Sequence, residues 1–299
     1  MNSTLRKGAQ KNSSVKLTPY LLILPAFVTL VVILVYPMFY NIFLSFFNWR
    51  FTSMPRFVGL DNFIRLFTGD ESFWQVLTFS LKFVFITLSA DLLIGVASAL
   101  ILYRIVKGRQ VIITMLLLPY MVAPIAVGLI WKLLWAKDFG LVNYFLGFLG
   151  IQAVNWLGNS TFATWAVYIP EIWRSLPFSM LILLAGLLAI PEDVYEAARI
   201  DGSSAWQTFF RITLPLLSPS ITIVLLFQTV FKLRVFDLIF NLTGGGPGIA
   251  TMPIGLMVYR TYFKYFEGGY AAAQNVILLL LGALISVIYL RYVYREVSY

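Results

Sequence analysis

Glu196-Ala197-Ala198-Arg199-Ile200-Asp201-Gly202 is followed, after nine further residues, by Ile212-Thr213-Leu214-Pro215. Both stretches belong to a mostly polar segment, residues 191–215, which separates two long apolar segments. Gly202 can adopt the left-handed conformation that ends a helix, and a following serine can cap the next helix. The segment therefore predicts a helix–turn–helix whose second helix runs from about 205 to 212 and stops near the proline.

Small and charged side chains on this segment suit contact with another protein. Ala197 and Ala198 would let a partner's backbone come close, and Glu196 would supply an ionic contact. The segment is also the least positively charged of those predicted to lie on the same side of the membrane. We therefore expect its charges to serve a purpose other than setting orientation.

The composition of the whole chain is that of an integral membrane protein. Hydrophobic residues make up 60% of its 299 residues and charged residues 12%, whereas charged residues make up about 25% of soluble proteins. The apolar runs are continuous rather than alternating, which favours helices over a β-barrel. The chain contains no cysteine and no histidine, so we expect no metal site and no catalytic residues.

These features predict an all-α membrane protein with six transmembrane helices. Their approximate limits are 20–47, 74–103, 111–135, 161–188, 216–236 and 271–289. Pro170 and Pro177 are expected to interrupt the fourth span. We divide the chain into a cytoplasmic tail (1–19), a first transmembrane helix with an external segment (20–73), and a five-helix core (74–299) that includes the loop at 191–215.

Basic residues predict the orientation of the chain, because lysine and arginine favour cytoplasmic loops. They occur in the tail at 1–19, in the loop 104–109, and after the sixth span at Arg291 and Arg295. Six spans place both ends on one side, so we predict a multi-pass protein with both termini in the cytoplasm. The net charge of +9 is then a topology signal, and no nucleic acid partner is expected.

The two opening stretches, at this spacing, resemble the EAA loop of ABC importer permeases of the binding-protein-dependent carbohydrate and glycerol-phosphate branch. The resemblance covers nearly the whole chain beyond the tail. Its further motifs are Val58-Gly59-Leu60-Asp61-Asn62-Phe63, Leu118-Pro119-Tyr120, Leu242-Thr243-Gly244-Gly245-Gly246-Pro247 and Ala271-Ala272-Ala273. It implies a type I ABC importer permease fold in a bacterial inner membrane.

In that family the loop docks into a groove on an ATP-hydrolysing subunit. The residues that this implies for docking and its turn are Glu196, Ala197, Ala198, Asp201 and Gly202. Those implied to fix the second helix to the membrane core are Ile212, Leu214 and Pro215. The sequence contains no Walker-type nucleotide motif, so we expect no cofactor in this chain, with ATP and magnesium bound by the partner. The implied partners are a second homologous permease, two ATP-binding subunits, an extracytoplasmic solute-binding protein and membrane lipid.

Ionisable residues within the spans predict a route for a small-molecule substrate, because charges there are costly and face the protein interior. At 1.5 Å per residue, Arg174 and Lys232 lie roughly 20 Å and roughly 24 Å from the inner ends of their spans, so both can line one cavity. Hydrogen-bonding groups and aromatic rings there suit a sugar. The predicted pathway residues are Tyr120, Glu171, Arg174, Ser175, Phe178, Gln228 and Lys232.

Several alternatives stay open from the sequence. Two cations beside one cavity also suit an anion, such as glycerol phosphate, a glycerophosphodiester or an acidic sugar. Glu171 and Arg174 can instead pair structurally, with each other or with Asp237. A standalone ion-coupled transporter would use Asp91, Glu171 or Asp237 as its ion site. Lys82 and Asp91 are expected on roughly opposite faces of the second span.

Overall fold

The structure is a computed structural model that describes residues 18–51 and 53–294. Most of the predicted tail at 1–19 therefore lies outside the described residues, as does Arg295. In chain order the helices are α1 (Thr18–Leu30), α2 (Tyr36–Leu44), α3 (Asp61–Ile64), α4 (Glu71–Arg104), α5 (Arg109–Met121), α6 (Pro124–Leu134), α7 (Leu141–Phe148), α8 (Ser160–Ala189), α9 (Glu192–Ile200), α10 (Ala205–Thr208), α11 (Leu214–Leu216), α12 (Ser218–Leu233), α13 (Asp237–Leu242), α14 (Ile254–Phe263) and α15 (Gly268–Tyr292). Short π-helical turns join three of these pairs, at Val31–Val35, Arg65–Gly69 and Phe209–Thr213.

A two-stranded antiparallel ribbon follows α2. Strand β1 (Phe47–Asn48) pairs with β2 (Arg56–Phe57), with Phe47 opposite Phe57 and Asn48 opposite Arg56. The side-chain amide of Asn62 donates to the main-chain oxygens of Ser45 and Phe47, at 2.8 Å and 3.0 Å, and so fixes this ribbon to α3.

Four helical segments are long and apolar enough to cross a membrane on their own. They are Pro19–Leu44, Glu71–Arg104, Ser160–Ala189 and Gly268–Tyr292. Two bent pairs pass the same criterion together, namely α5 with α6, and the segment Ala205–Leu216 with α12. The described residues therefore contain four candidate spans, or six if each bent pair counts as one. The predicted all-α membrane fold is confirmed.

The predicted third span is not one straight helix. Its two halves, α5 and α6, meet at an angle of 90°. Proline disfavours a helical conformation in the residue before it and lacks an N–H donor, and Ala123, which precedes Pro124, is accordingly extended (φ −58°, ψ 137°). The sequence contained this proline, but the extent of the bend was not predicted.

The predicted interruption of the fourth span is wrong, because α8 runs without a break through both of its prolines. Proline at position 170 leaves the carbonyl of Ala166 without its helical donor. The indole nitrogen of Trp135 donates to that oxygen at 3.1 Å. The helix begins at Asn159, whose side chain accepts from the backbone N–H groups of Thr161 and Phe162. Tertiary contacts thus stabilise a helix that its composition disfavours.

Three helices form the centre of the protein. The long helices α4 and α8 pack along one another, and α12 packs against both. Close approach of α8 to α12 requires Gly186, since a Cβ atom there would lie 2.2 Å from Ser220 Oγ. Around this centre, α15 packs against α2, α12 and α14, while α13 packs on α6.

Candidate coupling loop and substrate pathway

The segment 191–215 forms the predicted helix–turn–helix. Helix α9 ends at Ile200, and Gly202 adopts the left-handed conformation with φ +72°. The backbone N–H of Ser203 donates to the carbonyl of Ala198 at 3.0 Å, which closes the turn. Ser204 and Gln207 form a reciprocal capping box at the start of α10. We refer to α9 through α11 as the helical hairpin.

The second arm of the hairpin is longer than predicted. Helix α10 continues through the π-helical turn Phe209–Thr213 into α11, which ends at Leu216 rather than near residue 212. Pro215 lies in the first turn of α11, where a missing N–H donor costs little. Ile212, Leu214 and Pro215 are half-buried, as expected for residues that fix this arm, although that role stays a prediction.

The two faces of α9 differ in exposure. Glu196 and Ala197 are exposed, as are Asp201 and Gly202 in the turn. Ala198, by contrast, is buried, so the expectation that its small side chain faces a partner is wrong. At three to four residues per turn, Ala198 lies on the face of Val194 and Tyr195. Its small size lets α9 lie close to the body of the protein itself.

Tyr195 fixes the hairpin to the rest of the fold. Its hydroxyl lies 3.3 Å from that of Thr213, on the second arm. Its ring lies 6.4 Å from the ring of Tyr103, near the end of α4. The hairpin therefore lies at the end of the bundle where the basic residues of the 104–109 loop are found. Beyond these anchors, Ile200 and Trp206 expose large apolar side chains.

The predicted pathway residues on α8 and α12 are part of a polar cluster that also includes α4. Lys232 Nζ lies 3.0 Å from Asp91 Oδ2 and 3.5 Å from Glu171 Oε1. It donates to Ser175 Oγ at 3.0 Å, and that oxygen lies 2.7 Å from Asp91 Oδ2. Arg174 Nη2 donates to both carboxylate oxygens of Glu171, at 3.2 Å and 3.3 Å.

The side-chain amide of Gln228, on α12, extends the cluster along α8. Gln228 Nε2 donates to the main-chain oxygen of Ser175 and to the hydroxyl of Ser179, both at 3.1 Å. We define the polar cluster as Asp91, Glu171, Arg174, Ser175, Ser179, Gln228 and Lys232. Its members come from three helices, so it joins α4, α8 and α12 at one level.

Burial divides the predicted pathway residues into two groups. The side chains of Glu171, Ser175, Gln228 and Lys232 are each at most 2% exposed. Lys232 in particular is enclosed by the groups it pairs with, so it does not line an open cavity in this structure. Arg174 differs, because 17% of its side chain is exposed. The pairing of Glu171 with Arg174, which the sequence left open, is observed, whereas Asp237 joins no ion pair within the described residues.

Next to Arg174 lies a surface of aromatic rings from three helices. Tyr120 on α5 stacks against Phe178 on α8, with ring centroids 5.9 Å apart. Phe178 also contacts Phe227 and Phe231 on α12, at 6.2 Å and 6.4 Å. Phe178 is half-buried, and the other three rings are 38–52% exposed. We call these four residues the aromatic surface, and it joins the predicted Tyr120 and Phe178 as expected.

Two members of the cluster, Asp91 and Ser179, were not among the predicted pathway residues, and Asp91 is the charged one. A signal was available, because a charge within a span needs a partner of opposite sign. Asp91 lies 13 residues before the end of α4 at Arg104, or about 20 Å at 1.5 Å per residue. That depth equals the depth worked out for Arg174.

No group of three or more metal-ligating side chains occurs among the residues that the structure describes.

Comparisons with known proteins agree with this architecture. Residues 91–299 match the family described as "Binding-protein-dependent transport system inner membrane component". The trehalose/maltose transport system permease protein MalF of Thermococcus litoralis is 38% identical, over 91% of this chain and 92% of that protein. The sulfoquinovosyl glycerol transport system permease protein SmoG of Agrobacterium fabrum is 33% identical, over 92% and 90%.

A solved structure shares the fold. A chain of a bacterial alginate ABC transporter, in complex with an alginate pentasaccharide-bound periplasmic protein, superimposes with a TM-score of 0.80. The match covers 93% of this chain and 94% of that chain at 22% identity. This chain therefore belongs to the family of inner membrane components of binding-protein-dependent transport systems, the permease subunits of ABC transporters, which are transport components rather than enzymes.

Proposed function

We propose that this permease subunit forms half of the translocation pathway of an ATP-driven importer for a sugar or an oligosaccharide. The observation that carries the proposal is the helical hairpin, which is fully formed, exposes Glu196 and Ala197, and adjoins α8 and α12, two of the three helices that hold the polar cluster. The relative named for trehalose and maltose supports a sugar as the substrate.

The hairpin would couple this chain to an ATPase. We place Glu196, Ala197, Asp201 and Gly202 at the contact with an ATP-binding subunit, which itself binds ATP and magnesium. Two residues separate α8 from α9, and one separates α11 from α12. With such short connections, a displacement of the hairpin must move α8 and α12. ATP binding would thereby open the pathway outward, and hydrolysis would return it inward.

The pathway itself would use the exposed group of predicted residues. The Arg174 guanidinium would donate hydrogen bonds to sugar hydroxyls, and the rings of Tyr120 and Phe178 would face the apolar C–H surface of the sugar. Glu171 and Lys232, together with Ser175 and Gln228, would support this surface from behind, because their side chains are buried.

The proposal includes the orientation and the partners of the chain. The hairpin and the 104–109 basic loop lie at one end of the bundle, which supports a cytoplasmic position for both. A multi-pass position in a bacterial inner membrane with both termini cytoplasmic follows. The partners would be a second homologous permease, two ATP-binding subunits and an extracytoplasmic solute-binding protein. The chain would then be organised as a tail (1–19), a first helix with an external segment (20–73) and a core (74–299).

The alternative of an anionic substrate rested on two cations beside one cavity. In the structure each of these cations is paired with a carboxylate, so that reason is removed. Among the residues that the structure describes, no other feature favours glycerol phosphate or an acidic sugar over a neutral sugar.

Substitution Glu196→Lys tests the coupling role. We expect loss of uptake and of ATPase binding, with the chain still present in the membrane at its normal level, because Glu196 is exposed and its ion pair with Arg199, at 3.7 Å, is also exposed. Asp138→Lys, a charge reversal at another exposed position, should leave uptake unchanged. Uptake by the Glu196→Lys protein with the ATPase still bound would contradict the docking role.

Reconstitution tests the class of transporter. In proteoliposomes, we expect uptake of radiolabelled trehalose or maltose to require the second permease, the ATPase, ATP and the binding protein together. Gradient-driven uptake by this chain alone would favour a secondary transporter instead.

A further inference from the structure

The polar cluster contains as many positive as negative charges. Arg174 pairs with Glu171, Glu171 with Lys232, and Lys232 with Asp91, so the charges alternate in sign along one chain of contacts. Helices α8 and α12 carry no other charged residue. On α4, the other charged residues are Glu71, Lys82 and Arg104, which are at least nine residues from Asp91 in sequence. The four charges of the cluster itself therefore sum to zero.

Only one end of this chain of contacts reaches the surface. Arg174 is partly exposed beside the aromatic surface, whereas Asp91, Glu171 and Lys232 are at most 1% exposed. The buried end is Asp91, whose Oδ1 atom has no hydrogen-bond partner in the described part of the chain. Asp91 is therefore not held by a full set of hydrogen bonds of its own, and its main contacts are those to Lys232 and Ser175.

Buried charges act over longer distances than exposed ones, because little water lies between them and the surface. A substrate at the aromatic surface would meet the guanidinium of Arg174 directly. It would also experience the fields of the two buried carboxylates and of Lys232. Because the four charges of the polar cluster sum to about zero, the long-range attraction of Arg174 for an anion is largely cancelled. Arg174 nevertheless keeps its hydrogen-bond donors.

The similarity of this chain to known permeases does not fix the class of its substrate. The two relatives are named for trehalose and maltose and for sulfoquinovosyl glycerol. Membership of this family therefore does not decide between a neutral and an anionic sugar.

We propose that Asp91, although it does not touch the substrate, is a specificity-determining residue: it balances the buried cation of Lys232, so that the Arg174–Glu171 pair lies beside no uncompensated positive charge and the site selects neutral sugars over acidic ones. The proposal rests on the proposed function. The substrate class that follows is neutral sugars. Asp91 lies outside both the family motifs and the predicted pathway residues, so this role for it is new.

The test compares affinities for matched sugars. Ligand-observed NMR on the assembled permease–ATPase complex, without the binding protein, gives the Kd of each neutral oligosaccharide in a panel and of its uronate counterpart. The wild type should bind the neutral member more tightly. Asp91→Asn makes the cluster net positive and should improve relative uronate affinity about tenfold, as expected for one unit charge about 10 Å away at an effective dielectric constant of about 20. Arg174→Gln makes the cluster net negative and should lower the relative uronate affinity.

Two further variants separate charge from structure. The double variant Asp91→Asn with Lys232→Met is neutral again and should restore the wild-type ratio. Asp237→Asn removes the same charge from an exposed position outside the cluster and should not change the ratio. A merely structural role for Asp91 would weaken both sugars alike and leave the ratio constant.

Each outcome bears on one proposal or on both. If the wild type binds neutral sugars but Asp91→Asn and Arg174→Gln leave the ratio unchanged, or move it in the same direction, the charge-cancelling role is wrong and sugar import stands. Preferential binding of uronates by the wild type also refutes only that role. If no sugar of either kind binds, both proposals fail. Should Asp91→Asn not assemble, Lys232→Met decides instead, because it leaves the buried part of the cluster net negative without touching the substrate contact; it should lower the relative uronate affinity, and an unchanged ratio would refute the role.

Discussion

Substitution of Lys232 by methionine should destabilise the protein strongly. Methionine matches the length of the lysine stem but leaves Asp91 and Glu171 without the cation that lies 3.0 Å and 3.5 Å from them. All three side chains are at most 1% exposed, so water cannot replace the lost partner. Removal of one member of a buried ion pair costs about 3–5 kcal/mol. At about 2–4 °C per kcal/mol for a chain of this size, the apparent Tm should fall by about 6–20 °C.

The assay is thermal unfolding of the purified chain in detergent, followed by fluorescence at one fixed scan rate, because such unfolding is irreversible and rate-dependent. Lys137→Met, at an exposed position, is the matched control and should change stability by no more than about 0.5 kcal/mol. Addition of Asp91→Asn to Lys232→Met should recover more than half of the loss, since it removes the unpaired carboxylate. A Tm of Lys232→Met within 2 °C of the wild type, or a double variant less stable than the single one, would refute the reasoning.

Two further predictions concern close packing. Ala198→Leu should displace the hairpin, lower the stability by about 1–3 kcal/mol and weaken ATPase binding. Ala197→Leu, on the exposed face, should weaken ATPase binding in pull-down assays without a change in Tm. Equal Tm values for the two variants would contradict the assigned faces. Gly186→Ala should lower the Tm, because its Cβ would lie 2.2 Å from Ser220 Oγ and 2.8 Å from Ser220 Cβ. Gly147→Ala, where a Cβ would meet nothing within 4 Å, is its control, and an unchanged Tm for Gly186→Ala would show that α8 and α12 can separate freely.

Local features of the fold were predictable from sequence because they depend on neighbours in the chain. The turn at Gly202 needs a residue that tolerates positive φ, and the start of α10 needs a cap such as Ser204. Both are properties of a few consecutive residues. The membrane spans follow from composition for the same reason, since hydrocarbon requires about 20 apolar residues wherever the rest of the chain lies.

Features that depend on distant contacts were predicted less well. The prolines of α8 were expected to interrupt it, yet Trp135 supplies a donor to the carbonyl that Pro170 leaves free. The bend before Pro124 could be anticipated, but its angle of 90° depends on what α5 and α6 pack against. The burial of Ala198 was open to prediction from periodicity, because Ala198 lies one turn after Val194 and Tyr195 on the apolar face of α9.

For the candidate pathway, the sequence determined which residues share a helical face and at what depth they lie. It therefore grouped Glu171, Arg174 and Ser175 on one helix, and Gln228 and Lys232 on another, from the repeat of the α-helix alone. The tertiary structure decided which of them are accessible and what they pair with. Asp91 meets Lys232 only because α4 packs against both α8 and α12, and the energy of that contact depends on its burial. Helical periodicity is encoded locally, but burial and ion pairing arise only when helices far apart in sequence come together.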